Sequence, residues 1–249
     1  MWQFFLNFRN WVILGLLCLI CTWSLPALAD VKVSARLEEQ ILQVIRKHPE
    51  VLVESVSAYK RQEEQKIQQA REAFLQELKT NTLAVIGDSP VTGATDLKTV
   101  LIEFSDFQCP YCAKAHDTLN ELLAKYPNQF TLVYKHFPLI QIHDQAVPAA
   151  EAAWAAGKQG KFWEYYDALF SNQKQLGENL YLEIAKNLNL DLERFKSDRT
   201  SADPAIEQDL QLAYSLRLSG TPSFVIHSPN YTGAVQLDQI EQVLTAKKA

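Results

Sequence analysis

Three consecutive stretches between Thr99 and Phe137 leave this chain few architectures. "TVLIEF" (Thr99–Phe104) is an apolar run broken by one acid, the pattern of a buried strand. Cys109–Lys125 is a helix-forming run, and "FTLVYKHF" (Phe130–Phe137) reads as a second strand. Strand, helix and strand make a β-α-β unit, which sets two parallel strands in one sheet with the helix crossing over them. Where the first strand hands over to the helix stands "FSDFQCPYCAKAH" (Phe104–His116), with Cys109 and Cys112 in C-x-x-C spacing. Such a pair serves as a redox couple, as two ligands of a metal or as an ordinary structural disulfide, and the rest of the chain has to decide among them.

At 249 residues, 47% of them hydrophobic, the chain can bury a real core. Its net charge of −5 gives no electrostatic capture of nucleic acid, and none is expected as a partner. The N-terminus has the layout of a secretory signal peptide: Arg9 as its one charge, the apolar run Trp11–Leu25, then "ALA" at Ala27–Ala29 before Asp30. About 15 apolar residues ended by Pro26 fall short of the roughly 20 that a spanning helix needs. Residues 1–29 therefore read as a leader cleaved after Ala29 rather than as a retained anchor, and the expected location is across the inner membrane, in the periplasm. Cys18 and Cys21 leave with the leader, and neither follows small residues as a lipoprotein cysteine would. Cys109 and Cys112 remain. A domain of this size needs no staple, and a bridge closing so short a loop constrains the unfolded chain very little.

Residues 30–81 read as an N-terminal helical segment. Leu37, Ile41, Val44 and Ile45 follow helical spacing, Pro49 breaks the run or opens the next helix, and Val53, Val56 and Tyr59 resume it. Ile67, Ala70, Phe74 and Leu78 then make a narrow stripe on a charged helix. That stripe suits packing on its own domain or a stalk that pairs with another copy, and a homo-oligomer through residues 34–81 is expected. "GDSPVTGATD" (Gly87–Asp96) reads as a turn-rich connection. Beyond the β-α-β unit come helical stretches at Ala146–Lys158, Lys161–Phe170, Asn179–Leu190 and around Ile206–Leu218. "GTPSFVIHS" (Gly220–Ser228) and Tyr231–Val235 read as strands, and a closing helix runs from Leu237.

Cys109 falls at the N-cap of its helix, with Pro110 at the first helical position that proline favours. Free N–H groups and the positive end of the helix dipole stabilise an anion there, and the thiolate is the reacting species. Cys112, one turn deeper on the same face, can attack a mixed disulfide formed at Cys109. The spacing predicts an exposed nucleophile and a shielded resolving thiol.

The strand "VLIEF", the "SDFQCPYC" that opens a helix and the distant "GTPSF" together resemble the thioredoxin superfamily. The mainly helical stretch between Cys112 and Gly220 is similar to the domain inserted in the DsbA-like branch of exported thiol–disulfide oxidoreductases. The likeness covers Val91–Ala249 and implies an α/β thioredoxin fold over residues 82–249, with a helical insertion at about 143–218 and the N-terminal helical segment ahead of it. It also implies roles. Cys109 would attack and Cys112 resolve, as the redox disulfide of an active-site motif completed by Pro110 and Tyr111. Pro222 matches the family's cis-proline, whose loop pairs backbone to backbone with an extended substrate. Thr221 stands before it where some members carry valine, which leaves the direction of reaction open. Glu103, six residues before Cys109, is in register with the family's buried acid; its pKa would be raised and it would pass a proton to or from Cys112. The other reading of Glu103 is a wet carboxylate at a sheet edge. The strongest oxidants of the family carry Pro-His between the cysteines, so this Pro-Tyr chain is expected at about −230 to −180 mV rather than near −120 mV. Pro-Tyr is also the glutaredoxin dipeptide, but a leader and a large insertion do not fit a glutaredoxin.

His116 follows Cys112 as C-x2-C-x3-H, yet a structural zinc site wants four ligands, and His136, His143 and His227 are scattered. No metal is expected. A c-type haem would need His where Ala113 stands, and no organic cofactor is implied. Asp106 reads as a helix cap or as a residue beside the active site, with capping the preferred reading. The expected function is exchange of disulfides with cysteine-containing exported proteins, in the oxidising direction, with a membrane redox partner to restore the bridge. The alternatives are a disulfide isomerase or reductase and, in another class, a non-catalytic periplasmic chaperone or metal-binding protein.

Overall fold

The computed structural model describes residues 34–246; the leader assigned to residues 1–29, with Cys18 and Cys21, lies outside the described residues. The chain divides into two units, with the boundary between Tyr59 and Lys60. The first holds α1 (Ala35–Lys47) and the start of α2 (Pro49–Thr80). Ser34 caps α1 by accepting the Leu37 N–H at 3.2 Å, and Glu38 at its start and Arg46 and Lys47 at its end complement the helix dipole. No residue of α1 is buried. Leu37, Ile41, Val44, Val53, Val56 and Tyr59 are all exposed.

The second unit begins inside α2, so residues 60–80 belong with the domain that follows them rather than with the helical segment that the sequence delimits at residue 81. Phe74 and Leu78 show why. Both are buried among Val100, Ile102, Phe104 and Val133. Arg71 adds a polar tie, its Nε donating to the Leu216 carbonyl at 2.9 Å. After the short α3 (Thr82–Ile86) come β1 (Val91–Gly93), β2 (Val100–Ser105), α4 (Pro110–Lys125) and β3 (Thr131–His136). The helices α5 (Ala146–Gly157), α6 (Phe162–Ser171), α7 (Glu178–Asn187), α8 (Leu192–Arg199) and α9 (Asp203–Ser215) follow, then β4 (Ser223–His227), β5 (Thr232–Val235) and α10 (Ile240–Thr245).

The five strands form one sheet in the order β1–β3–β2–β4–β5. β2 and β3 are parallel, as the β-α-β pattern requires, and the other pairings are antiparallel. β1 is an edge strand inside the segment read as a turn-rich connection; it is three residues long and ends at Gly93, whose φ of +87° no side chain adopts easily. β2 is central and buried along its whole length, and its residues alternate between faces. Val100, Ile102 and Phe104 meet α2 and α9. Leu101 meets Ala115, Leu119 and Leu122 of α4, and two residues on, the same face carries Glu103. The insertion α5–α8 builds a third cluster, in which small alanines of α5 and the rings of Phe107, Tyr134, Tyr165 and Tyr166 enclose Cys112. The fold is thus the α/β thioredoxin-like sheet with its helical insertion and N-terminal helices.

Candidate active site

Cys109 is the N-cap of α4 in extended conformation (φ −74°, ψ 121°), and Pro110 opens the helix. The Cys109 carbonyl accepts the N–H groups of Cys112 at 3.0 Å and Ala113 at 3.2 Å, so the first turn is already wound around the motif. Both cysteines are free thiols. Cys112 has no exposed surface, and Cys109 keeps only 4% exposure, less than the spacing predicts. The reason is the loop ahead of β4, which closes over the sulfur: Cys109 Sγ lies 3.3 Å from the Thr221 carbonyl. The Thr221–Pro222 peptide bond is cis. Alongside it runs a groove of about 490 Å³, lined by Tyr111, Thr221, Pro222, Phe224, Val235 and Leu237 among others. Tyr111 is 67% exposed at its rim.

The two thiols are driven apart in acidity. Donation from the Cys112 thiol, against burial and with help from the Thr221 side chain and the N–H groups of Cys112 and Tyr111, pulls Cys109 down to about 5. Burial pushes Cys112 far above the ordinary thiol range, and its donation to Cys109 and the nearby Glu103 charge add to that. The Thr221 hydroxyl is buried and has no partner while Cys109 is a thiol, so it is free to donate once the sulfur ionises.

Glu103 has no exposed surface and sits on the central strand, opposite Tyr134 of β3, which excludes the sheet-edge reading. Its Oε2 accepts the Tyr166 hydroxyl at 3.2 Å, and its Oε1 has no partner. Burial raises Glu103 to about 7, against the pull of Ser105, Tyr166 and the His116 charge. A carboxyl poised there gains or loses a proton near neutral pH, in electrostatic reach of Cys112.

Asp106 caps no helix. Its Oδ1 accepts the Gln108 N–H at 2.8 Å to form a turn, and its Oδ2 accepts from the Leu139 N–H at 2.9 Å and His143 Nδ1 at 2.7 Å. Gln108 continues the stitching to Asp144 and the Gln145 N–H, just ahead of α5, which starts three residues after His143. Gln173, after α6, donates to the carbonyls of Phe107 at 2.8 Å and Cys109 at 2.9 Å. The insertion therefore holds the cysteine loop through several polar contacts that sequence reading missed, since their partners lie 36 to 66 residues apart. His116 is engaged by Asp167 and Asp117. His136 is buried with both ring nitrogens unpartnered, and burial with the Lys135 charge lowers it to about 3. Among the described residues no group of three or more His, Cys, Asp or Glu is placed to hold a metal.

The family model described as thioredoxin matches residues 86–246. A thioredoxin-like oxidoreductase from Silicibacter pomeroyi DSS-3 superposes with a TM-score of 0.57 at 30% identity, over 66% of this chain and 96% of that one. ScsC of Proteus mirabilis in a compact conformation superposes with a TM-score of 0.57 at 25% identity, over 84% and 95%. The thiol-disulfide exchange protein alpha-DsbA2 of Wolbachia pipientis shares the fold, with a TM-score of 0.58 at 17% identity over 70% and 95%. Among curated proteins, the Na(+)/H(+) antiporter NhaA 1 of Salinispora arenicola is 36% identical over 159 residues, 63% of this chain and 24% of that protein. The chain spans about a quarter of the length of the curated relatives that it matches.

Proposed function

The chain belongs to the thioredoxin family, and on that premise we propose that it is a DsbA-like thiol–disulfide oxidoreductase that oxidises cysteine-containing proteins exported across the inner membrane. One observation supports the direction: Cys109 sits at the N-cap of α4 beside the Thr221 loop, and the donors gathered there hold it down to about 5. A thiolate so stabilised favours the dithiol form of the protein, which makes its disulfide form ready to give the bond away. A substrate thiolate attacks Cys109 of the bridged pair, and Cys112 leaves and takes a proton from Glu103. A second substrate thiolate then attacks the mixed disulfide, freeing Cys109 as a thiolate and leaving the bond in the substrate. Thr221 and Pro222 present backbone to the extended substrate beside the groove. A membrane quinone-linked oxidase would rebuild the bridge.

Isomerisation is the second reading, and the exposed apolar stripe of residues 34–59 favours it. Paired copies would set two active sites against one scrambled substrate. Deleting residues 34–59 spares Phe74 and Leu78 of the core, so it removes the stripe without emptying the second unit.

The deciding experiment is covalent trapping. Cys112→Ser should accumulate mixed disulfides through Cys109, and Cys109→Ser none. Should neither variant accumulate them, the binding-protein alternative would stand instead. Given reduced ribonuclease, the bridged protein should install disulfides; the isomerase reading gains if scrambled ribonuclease is repaired faster and that repair vanishes with residues 34–59.

A further inference from the structure

Behind Cys112 lies a connected set of side chains that the exchange chemistry above leaves without a role. His116 is one turn beyond Cys112 on the same face of α4. It is only 7% exposed, yet both ring nitrogens meet carboxylates: Nε2 is 2.8 Å from Asp167 Oδ1 and Nδ1 is 3.2 Å from Asp117 Oδ1. Asn120 Nδ2 lies 3.0 Å from the same Nε2 and 3.3 Å from the same Asp167 oxygen, to which it donates. Protonated on both nitrogens, the ring donates to both carboxylates as an imidazolium. The two carboxylates that hold it reach water, with side chains 54% and 81% exposed. Inward, the ring packs against Tyr166 at 5.3 Å and Phe170 at 5.2 Å between centroids. Tyr166 is the residue whose hydroxyl donates to Glu103. One aromatic side chain therefore touches both the cation and the buried acid, in surroundings where charge is weakly screened.

We propose that His116 is a positioning residue for the resolving step: its charge, held by Asp167 and Asp117, offsets the burial of Glu103 so that the carboxylate can accept the Cys112 proton. This rests on the reading of Cys112 as the resolving thiol. When Cys109 is joined to a substrate sulfur, Glu103 takes the Cys112 proton and the Cys112 thiolate attacks Cys109 Sγ. The Cys109–Cys112 bond forms as the bond to the substrate breaks, and the substrate leaves as a thiolate, reduced at the expense of the cysteine pair. Oxidation of a substrate runs the same proton back.

The groups that act on Glu103 are Ser105 from its own strand, Cys112 and His116 from α4, Tyr134 from β3 and Tyr166 from α6. Of these, His116 is the cation. Burial works against protonation of His116 itself, but Asp167 and Asp117 outweigh it and raise its pKa. Burial already holds Glu103 at about 7 with His116 in place. Without that charge, the Glu103 pKa moves further up and less of the carboxylate is available to Cys112 as a base at neutral pH.

Ellman's reagent separates the steps in the full chain. Cys109 attack releases one nitrothiophenolate, and Cys112 resolution releases the second. In His116→Gln the pH of half-maximal second release should move up by roughly one unit, about tenfold slower on the acid side, with the first release unaltered. His116→Lys should restore most of it, and Asp167→Asn, changed at the surface, should shift it in the same direction. In a Glu103→Gln background the His116 substitution should alter the second release by no more than about twofold. A His116→Gln profile that overlays the wild type, or a shift that persists in full without Glu103, assigns His116 to packing and overturns the proposal. If the wild type shows no second release that depends on Cys112, the resolving role itself falls, a different failure.

Discussion

Cys109 and Cys112 share one helix and lie one turn apart, yet the regions around them are opposite in kind. Around Cys109 stand groups that donate to a sulfur anion: the first N–H groups of α4, the Cys112 thiol and the Thr221 side chain. Around Cys112 stand the rings of Phe107 from the loop before α4, Tyr134 from β3 and Tyr166 from the helical insertion, and a buried acid. The helix start stabilises charge on the sulfur at its N-cap, whereas at Cys112 burial wins. The motif supplies two identical groups; the difference in their surroundings makes one a nucleophile and the other a latent thiol that needs a base.

The largest effect comes from the outer region. Cys109→Ser replaces a thiolate by a hydroxyl, and catalysed exchange should fall to the uncatalysed rate. In the wild type, thiolate absorbance in the ultraviolet should report half-ionisation near 5. A curve centred in the ordinary thiol range would remove the contrast between the two sulfurs.

Glu103 tests the inner region through stability. Its value of about 7 in the fold is raised from 4.5, so the folded chain binds that proton more tightly than the unfolded one. The resulting stability is present in full below pH 4.5 and is lost as the pH climbs through 7. Between pH 4.5 and 8 the loss amounts to about 3 kcal/mol. Denaturant midpoints of the bridged protein, in which neither cysteine titrates, should show that loss, and Glu103→Gln should lack it. Equal slopes in the two proteins would mean an acid open to water.

The same contrast separates what sequence reading reaches from what it does not. The β-α-β unit, Pro110 at the helix start and the one-turn offset of the cysteines are local patterns, and periodicity over a few residues is enough to read them. Asp106 reads as a cap for the same local reason, but its second oxygen is taken by Leu139 and His143 from the loop after β3. The pairing of β1 with β3, the burial of Phe74 and Leu78 and the clamp from Gln173 depend on partners brought close only by the fold. His116 carried a partial signal, since its offset from Cys112 puts it on the same helix face. Its meaning depends on Asp167, 51 residues away, which spacing cannot supply.

The smallest effect sits at the boundary between the two regions. Thr221→Val keeps the shape of the side chain beside Cys109 but removes the hydroxyl, which is buried and has no other partner. In the thiol form Cys109 donates to the Thr221 carbonyl, a contact that valine preserves. In the thiolate form the sulfur needs donors, and the variant has one fewer. Half-ionisation of Cys109 should therefore rise by about half a unit to one unit, the worth of a single hydrogen bond to a charged group. The dithiol form loses that much stabilisation, so the bridged form of the variant should oxidise substrates less readily. Removing an unsatisfied buried hydroxyl should at the same time leave the stability of the bridged protein unchanged or slightly higher. Should the ultraviolet titration of the variant overlay that of the wild type, the hydroxyl is no donor to the thiolate, and the start of α4 with the Cys112 thiol would account for the whole of the depression.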